Sequence, residues 1–196
     1  MKLSSLIVIV GLFTFSCQSP KQTNEEVSSH DHANHDADKP ADEKKKKPLS
    51  PHTSTMANVG DNHVHIDYSS PGKRGRMIFG GLVGFGQVWS TGAHNATFIN
   101  FGKDVTIGEV NILAGKYGLF TIPGESEWTI ILSKDWDMHL ADDYKEANDI
   151  VRIKVPAQKL NEVVESLTFE VTEISKKEGE IAIMWDQTKV AFRLKN

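Results

Sequence analysis

An alternation of apolar and polar residues with a period of two runs along most of this chain, and it constrains the fold more than any other feature. Val64, Ile66 and Tyr68 alternate with His63, His65 and Asp67. Val151, Ile153 and Val155 alternate with Arg152 and Lys154, and Leu167, Phe169 and Val171 with Thr168 and Glu170. Val190, Phe192 and Leu194 continue the pattern against Lys189, Ala191 and Arg193. Successive side chains of an extended chain point to opposite faces, so these segments are strands with one face in a core and the other in water. Trp128, Ile130 and Leu132 form a further strand, and the intervening Ile131 requires burial on both of its faces. Short strands also fit 97–101, 105–107, 110–113, 117–122 and 180–185, punctuated by Gly, Pro, Asn and Asp at Gly108, Pro123-Gly124 and Asp186-Gln187. About ten short strands without a long amphipathic helix predict an all-β fold, an antiparallel sandwich. At most one or two short helices fit, over 140–148 and 157–164, the latter being alternatively a crossover.

One segment breaks the alternation. Between Gly72 and Gly92 lie seven glycines, and among them stand Met77, Ile78, Phe79, Leu82, Val83, Phe85, Val88 and Trp89. So many large apolar residues predict a compact, ordered loop packed on the sheets, with glycine permitting positive φ and close backbone approach. Here the chain resembles a known family. Asp67-Tyr68-Ser69-Ser70-Pro71, Gly75-Arg76-Met77-Ile78-Phe79-Gly80 and Val88-Trp89-Ser90-Thr91-Gly92-Ala93-His94-Asn95-Ala96-Thr97 resemble domain-of-unknown-function family 2911. So do Leu113 to Gly124, Glu127-Trp128-Thr129-Ile130 and Asp149-Ile150-Val151-Arg152, with the blocks in the family's order from about residue 52 to 194. The resemblance implies secreted or lipidated bacterial proteins, β-rich, with no assigned reaction. Ser90 stands where the family often has Arg, His94 where it often has Asn, and Gly84-Phe85 where a Pro-aromatic pair is common.

The N-terminus has a different character. Met1 and Lys2 precede an apolar run from Leu6 to Phe15, too short for a bilayer-spanning helix but suited to a signal peptide. Cys17, the only cysteine, follows directly, which excludes an intramolecular disulfide and resembles a bacterial lipobox. The expected organisation is a lipoprotein signal peptide over 1–16, a lipid-anchored tether over 17–51 and one domain over 52–196. An ordinary signal peptide that happens to carry a cysteine is the other reading. The tether has no aromatic residue and is rich in Ser, Asn, Asp, Glu, Lys and Pro, so it lacks the apolar surface to offset its ordering entropy. It carries the tract His30-Asp31-His32-Ala33-Asn34-His35 and the block Lys44 to Lys47. His30, His32 and His35 are candidate zinc or copper ligands, though a solvated tether explains them equally simply. Lys44 to Lys47 either meets anionic headgroups or keeps the tether extended.

Chemistry is scarce. Net charge is −4 with no basic stripe, which argues against nucleic acid as a partner. Neither a dinucleotide fingerprint, a P-loop nor a Gly-x-Ser-x-Gly elbow is present. His63, His65 and Asp67 share one strand face, either as metal ligands or as the solvated face of an edge strand. The strongest constellation is Arg76, Trp89, Thr91, His94, Asn95 and Thr97, with Asp67 and Tyr68 beside it. One cation, an aromatic ring and neutral hydrogen-bonding groups suit recognition of a sugar, peptide or anionic small molecule better than bond cleavage. The structural alternative pairs Arg76 with Asp67 and spends Asn95 and the threonines on loop backbone. Trp128 and Trp185 are core candidates. Trp136, in a polar stretch, either pins its loop or offers a glycan surface.

The expectation is therefore an envelope lipoprotein with a binding or structural β-domain, held to the membrane by its N-terminal lipid, requiring no cofactor and naming no catalytic residue. A metal-handling lipoprotein using His30, His32 and His35 is the alternative. A hydrolase acting through Asp67 and His94 comes third.

Overall fold

The computed structural model describes residues 48–196. The signal segment, Cys17, His30, His32, His35 and Lys44 to Lys47 lie outside the described residues. Ten strands form two antiparallel sheets. The larger contains β1 (His52–Val59), β2 (Asn62–Ser69), β3 (Phe98–Phe101), β6 (Gly115–Ile122), β7 (Glu127–Ser133) and β8 (Asp149–Pro156), in the order β1-β2-β3-β6-β7-β8. The smaller contains β4 (Val105–Ile107), β5 (Val110–Ile112), β9 (Gln158–Ser175) and β10 (Glu178–Lys195), in the order β5-β4-β10-β9. The expected sandwich is present, with a single 3-10 turn at Glu146–Asn148 as the only helix among the described residues.

The core lies where the alternation puts it. Val64, Ile66 and Tyr68 of β2, Trp128, Ile130 and Leu132 of β7, and Leu167 and Phe169 of β9 are buried together between the sheets. Ile131, on the opposite face of β7, joins Ala96, Phe120 and Met138 in a second cluster on the outer face of the larger sheet. That face is not solvated. Parts of two loops cover it, with Val88 from one and Ala141 and Tyr144 from the other packed on the cluster.

Three sequence expectations need correction. β9 and β10 are long strands of 18 residues each, not short ones. Residues 157–164 are neither helix nor crossover, because Lys159 and Val164 pair with Thr188 and Asp186 of β10. Leu160, Val163 and Val164 are spaced as on a helix face, which disguises a strand segment whose side chains are largely exposed. Asp186-Gln187 is not a turn between strands but an irregularity inside β10, where the register shifts on both sides of Asp186 and its φ is +54°. The large buried residues are odd-numbered before it (Ile181, Ile183, Trp185) and even-numbered after it (Val190, Phe192, Leu194). The four steps from Met184 to Thr188 oppose nine from Thr168 to Lys159, so the extra residues lie on β9, while left-handed Asp186 marks where β10 changes side-chain phase and keeps its apolar face inward.

β1 was not foreseen. Its sequence, HTSTMANV, holds one large aliphatic at Val59, and its register on β2 runs from His52↔Ser69 to Val59↔Asn62. β2 is therefore an inner strand rather than the expected edge.

Candidate functional site

Two long loops, residues 70–97 between β2 and β3 and residues 134–148 between β7 and β8, contribute most of the lining of a cavity and a neighbouring cleft.

The first loop is glycine-rich yet anchored along its length. Its N-terminal end is tied to β9 by Lys73 N–H to the Glu165 carbonyl (2.7 Å) and Leu167 N–H to the Pro71 carbonyl (3.0 Å). In the middle, Trp89 and Thr121 of β6 exchange both backbone hydrogen bonds, at 2.8 and 2.9 Å. Lys73 also reaches Asp186 at 2.9 Å, so the irregularity in β10 presents its carboxylate to the loop. Ile78 and Val83 enter the main core. Phe79 lies edge-on to Trp128 of the larger sheet (centroids 4.7 Å apart) and to Trp185 of the smaller one (6.2 Å), while Trp89 stacks on Trp185 at 5.8 Å and 23°. This four-ring cluster closes the sandwich with geometries that add to simple area burial. At Gly80 the chain turns with φ +79°, and an added Cβ would meet the Phe85 ring at 2.7 Å, so a side chain fails there on both counts.

The second loop is held by charge. Arg152 donates from Nε to Asp149 Oδ2 (2.6 Å) and from Nη2 to the Tyr144 hydroxyl (2.7 Å), and Tyr144 donates to the same carboxylate oxygen (2.6 Å). Partial burial pushes the Tyr144 pKa up to about 12, helped by the carboxylate it donates to. Burial alone would pull Arg152 down, but its bonds to Asp149 and Tyr144 outweigh that and raise it. At the other end of the loop, Trp136 packs edge-on to Phe98, and the Lys116 ammonium sits 4.0 Å from both ring centroids. Trp136 does pin its loop, as one of its two sequence readings had it.

The loops meet where Leu140 N–H donates to the His94 carbonyl (2.7 Å) and Ala96 N–H to the Met138 carbonyl (2.9 Å). Residues 90–97 form a wall, with a cavity on one side and a cleft on the other.

The cavity measures about 580 Å³. Leu82, Val83, Val88, Trp89 and Trp185 give it an apolar lining, with Arg74 and Arg76 as its cations and Asp142 as its carboxylate. Arg76 already donates to the Gly72 and Lys73 carbonyls (2.6 and 3.1 Å), and Asp142 Oδ2 lies 2.9 Å from His139 Nδ1 in an exposed pair. Ser90 also lines the cavity. It is 1 % exposed, and its hydroxyl has no hydrogen-bond partner among the described residues. Buried polar atoms nearly always have partners, and this one does not.

The cleft measures about 300 Å³, and His52, Asp67, His94, Asn95, Trp136 and Asp137 stand around it. Asp67 does not pair with Arg76, because β1 brings His52 to it across the sheet, with Nε2 2.7 Å from Oδ1. Asp67 and His94 thus line one cleft, but the hydrogen bond of Asp67 is to His52. His63 and His65 stay on the solvated face, with His63 bonded to Asn58 at 3.1 Å. Among the described residues no group of three His, Cys, Asp or Glu is placed to hold a metal ion.

Of the other sequence candidates, Tyr68 is a core residue, its ring 4.6 Å from Phe169 and its hydroxyl accepting from Phe169 N–H at 3.4 Å. Thr91 and Thr97 are buried. Thr91 Oγ1 donates toward the Trp89 carbonyl (3.3 Å) and lies 3.1 Å from Thr121 Oγ1, and Thr97 Oγ1 donates to the Thr91 carbonyl (2.9 Å). Thr91 adopts φ +52°, a strained conformation for a β-branched residue, and Arg74, His94 and Leu140 around the same wall are also left-handed. Such strain persists only where the surroundings over-determine it, and it concentrates at binding sites. Sequence reasoning missed Arg74, Ser90 and His52. Ser90 lies inside a motif block and was readable, whereas Arg74 stands one residue before the block that begins at Gly75. His52 had no signal, because it sits at the foot of a strand with little apolar content.

The fold and its loops define a β-sandwich with a loop-built recess at one side. Over residues 50–194 the chain matches the family model described as "Protein of unknown function (DUF2911)", and it belongs to that family. No curated protein and no solved structure matches the chain.

Proposed function

We propose that this protein is a lipid-anchored module of the bacterial cell envelope that binds a small ligand with an apolar body and an anionic group in the cavity beside Trp89. The observation that carries the binding reading is the Ser90 hydroxyl, buried without a partner among the described residues on the wall of an apolar cavity that two arginines line. An anionic oxygen on a ligand would accept from that hydroxyl and from Arg74, and the indoles of Trp89 and Trp185 would cover its apolar part. Anchoring is supported by the short apolar run before Cys17 and by the polar tether behind it. The wall residues hold the recess open through backbone and hydroxyl bonds of their own, as befits a site that is formed before its ligand arrives.

Naphthalene-2-sulfonate, an apolar ring with one fixed negative charge, is a suitable probe for calorimetry on the full chain in detergent. Saturable one-to-one binding is expected, weakened about fivefold or more by Arg74→Gln, with 2-naphthol binding less tightly. Absence of saturable binding, or equal binding to both proteins, would contradict the reading. For the anchor, Cys17→Ser should move the protein from the membrane to the soluble envelope fraction, and unchanged retention would contradict lipidation.

A further inference from the structure

We propose that the cleft on the other side of the wall is a second, separate binding site, and that it takes a neutral polyhydroxylated ligand, a saccharide ring. Its lining has the composition that sugar hydroxyls need. Hydroxyls donate and accept at once, so they are matched by a carboxylate, an amide and an imidazole placed together, while an aromatic surface covers the apolar C–H face of the ring. Asp67 supplies a carboxylate fixed from behind by His52, at 2.7 Å, and its side chain is only 22 % exposed. Asn95 and His94 project from the wall, and neither side chain is bonded to another group among the described residues. Trp136 offers indole surface, held in place by Phe98 and Lys116.

Charge selects among ligand classes. Asp67 and Asp137 oppose an anion, which separates this cleft from the cavity that Arg74 and Arg76 line. A cationic ligand gains little, because the Lys116 ammonium already occupies the aromatic pair. A metal ion lacks a ligand set among the described residues. A neutral ligand rich in hydroxyls is what remains. At about 300 Å³ the cleft is at the small end of ligand sites, suited to one ring rather than an extended chain. His94 reinforces the placement, since its φ of +63° turns the wall at the mouth of the cleft.

The test is calorimetry on the full chain in a detergent without a sugar headgroup, titrated separately with glucose, galactose, N-acetylglucosamine and maltose to about 50 mM. At least one should bind saturably, one to one, with a millimolar Kd. Asn95→Ala and Asp67→Asn should each weaken it about tenfold, while naphthalene-2-sulfonate binding stays within about twofold. Asn95 is exposed, so its truncation spares the core and keeps the test independent of folding. Failure of all four sugars to bind, or sugar binding indifferent to both substitutions, would overturn the proposal. Because the sulfonate titration reads the cavity alone, loss of one site leaves the other standing.

Discussion

The two loops that make the recess solve the same problem in opposite ways. Residues 70–97 have no regular structure but insert Ile78, Phe79, Val83 and Trp89 among core residues of both sheets. Residues 134–148 bury only Met138, with Ala141 and Tyr144 packed beside it, and add the Tyr144–Asp149–Arg152 network and Lys116 over Trp136. Apolar anchoring resists salt and pH and loosens only when the sandwich opens. Charged anchoring is local, and it answers to both. The wall between cavity and cleft, residues 90–97, is shared: it is covalently part of the first loop and hydrogen-bonded to the second at His94–Leu140 and Ala96–Met138. Both hollows draw on both loops: Leu140, Ala141 and Asp142 of the second reach the cavity, and Trp136 and Asp137 the cleft.

The largest way to break this comparison is to remove an aromatic from the first anchor. Trp128→Ala should cost about 3–5 kcal/mol in chemical denaturation, and should abolish sulfonate binding even where the protein remains folded. A loss under about 1 kcal/mol would mean the four rings do not hold the loop. Next comes Arg152→Ala, which leaves the Asp149 carboxylate, 7 % exposed, without its cation. About 2 kcal/mol is expected, with increased amide exchange confined to residues 134–149 and sulfonate binding weakened less than by Trp128→Ala. Exchange spreading equally through 70–90 would erase the distinction between the loops.

A smaller effect sharpens it. The Tyr144 pKa is raised to about 12 in the folded protein against an ordinary value of 10.0, so the folded state holds this proton more tightly than the unfolded chain. Stability then falls as pH rises through the interval between those values, and it is unaffected below it. Tyr144→Phe should flatten that fall without abolishing it, since buried Tyr68 is also shifted upward. An identical pH profile in the variant would contradict the assignment. Smallest of all, Lys116→Met should cost under about 1 kcal/mol and show mainly as increased mobility at Trp136.

Much of the fold was legible because it rests on alternation: the strands of Val64, Trp128, Leu167 and Val190, and the two-faced burial signalled by Ile131, are what the pattern requires. What escaped has physical causes. β1 contributes Thr53, Thr55 and Ala57 where a strand usually shows large apolar residues. The continuity of β10 was hidden by an irregularity that reverses the parity of its large buried residues at Asp186. At the candidate site, the motif blocks point to the loop of Trp89 and Asn95, but spacing could not show that Arg76, which lines the cavity with Arg74, is spent on the Gly72 and Lys73 carbonyls. The His52–Asp67 contact joins residues fifteen apart through strand register, and no local pattern encodes it.

The most direct test is a crystal structure of the protein purified from its own envelope without added ligand or chelator. The account predicts density in the cavity between Arg74 and the indoles of Trp89 and Trp185, with an acceptor atom within hydrogen-bond distance of Ser90 Oγ. A collapsed cavity, or one holding only water with Ser90 Oγ bonded to a protein group, would contradict it.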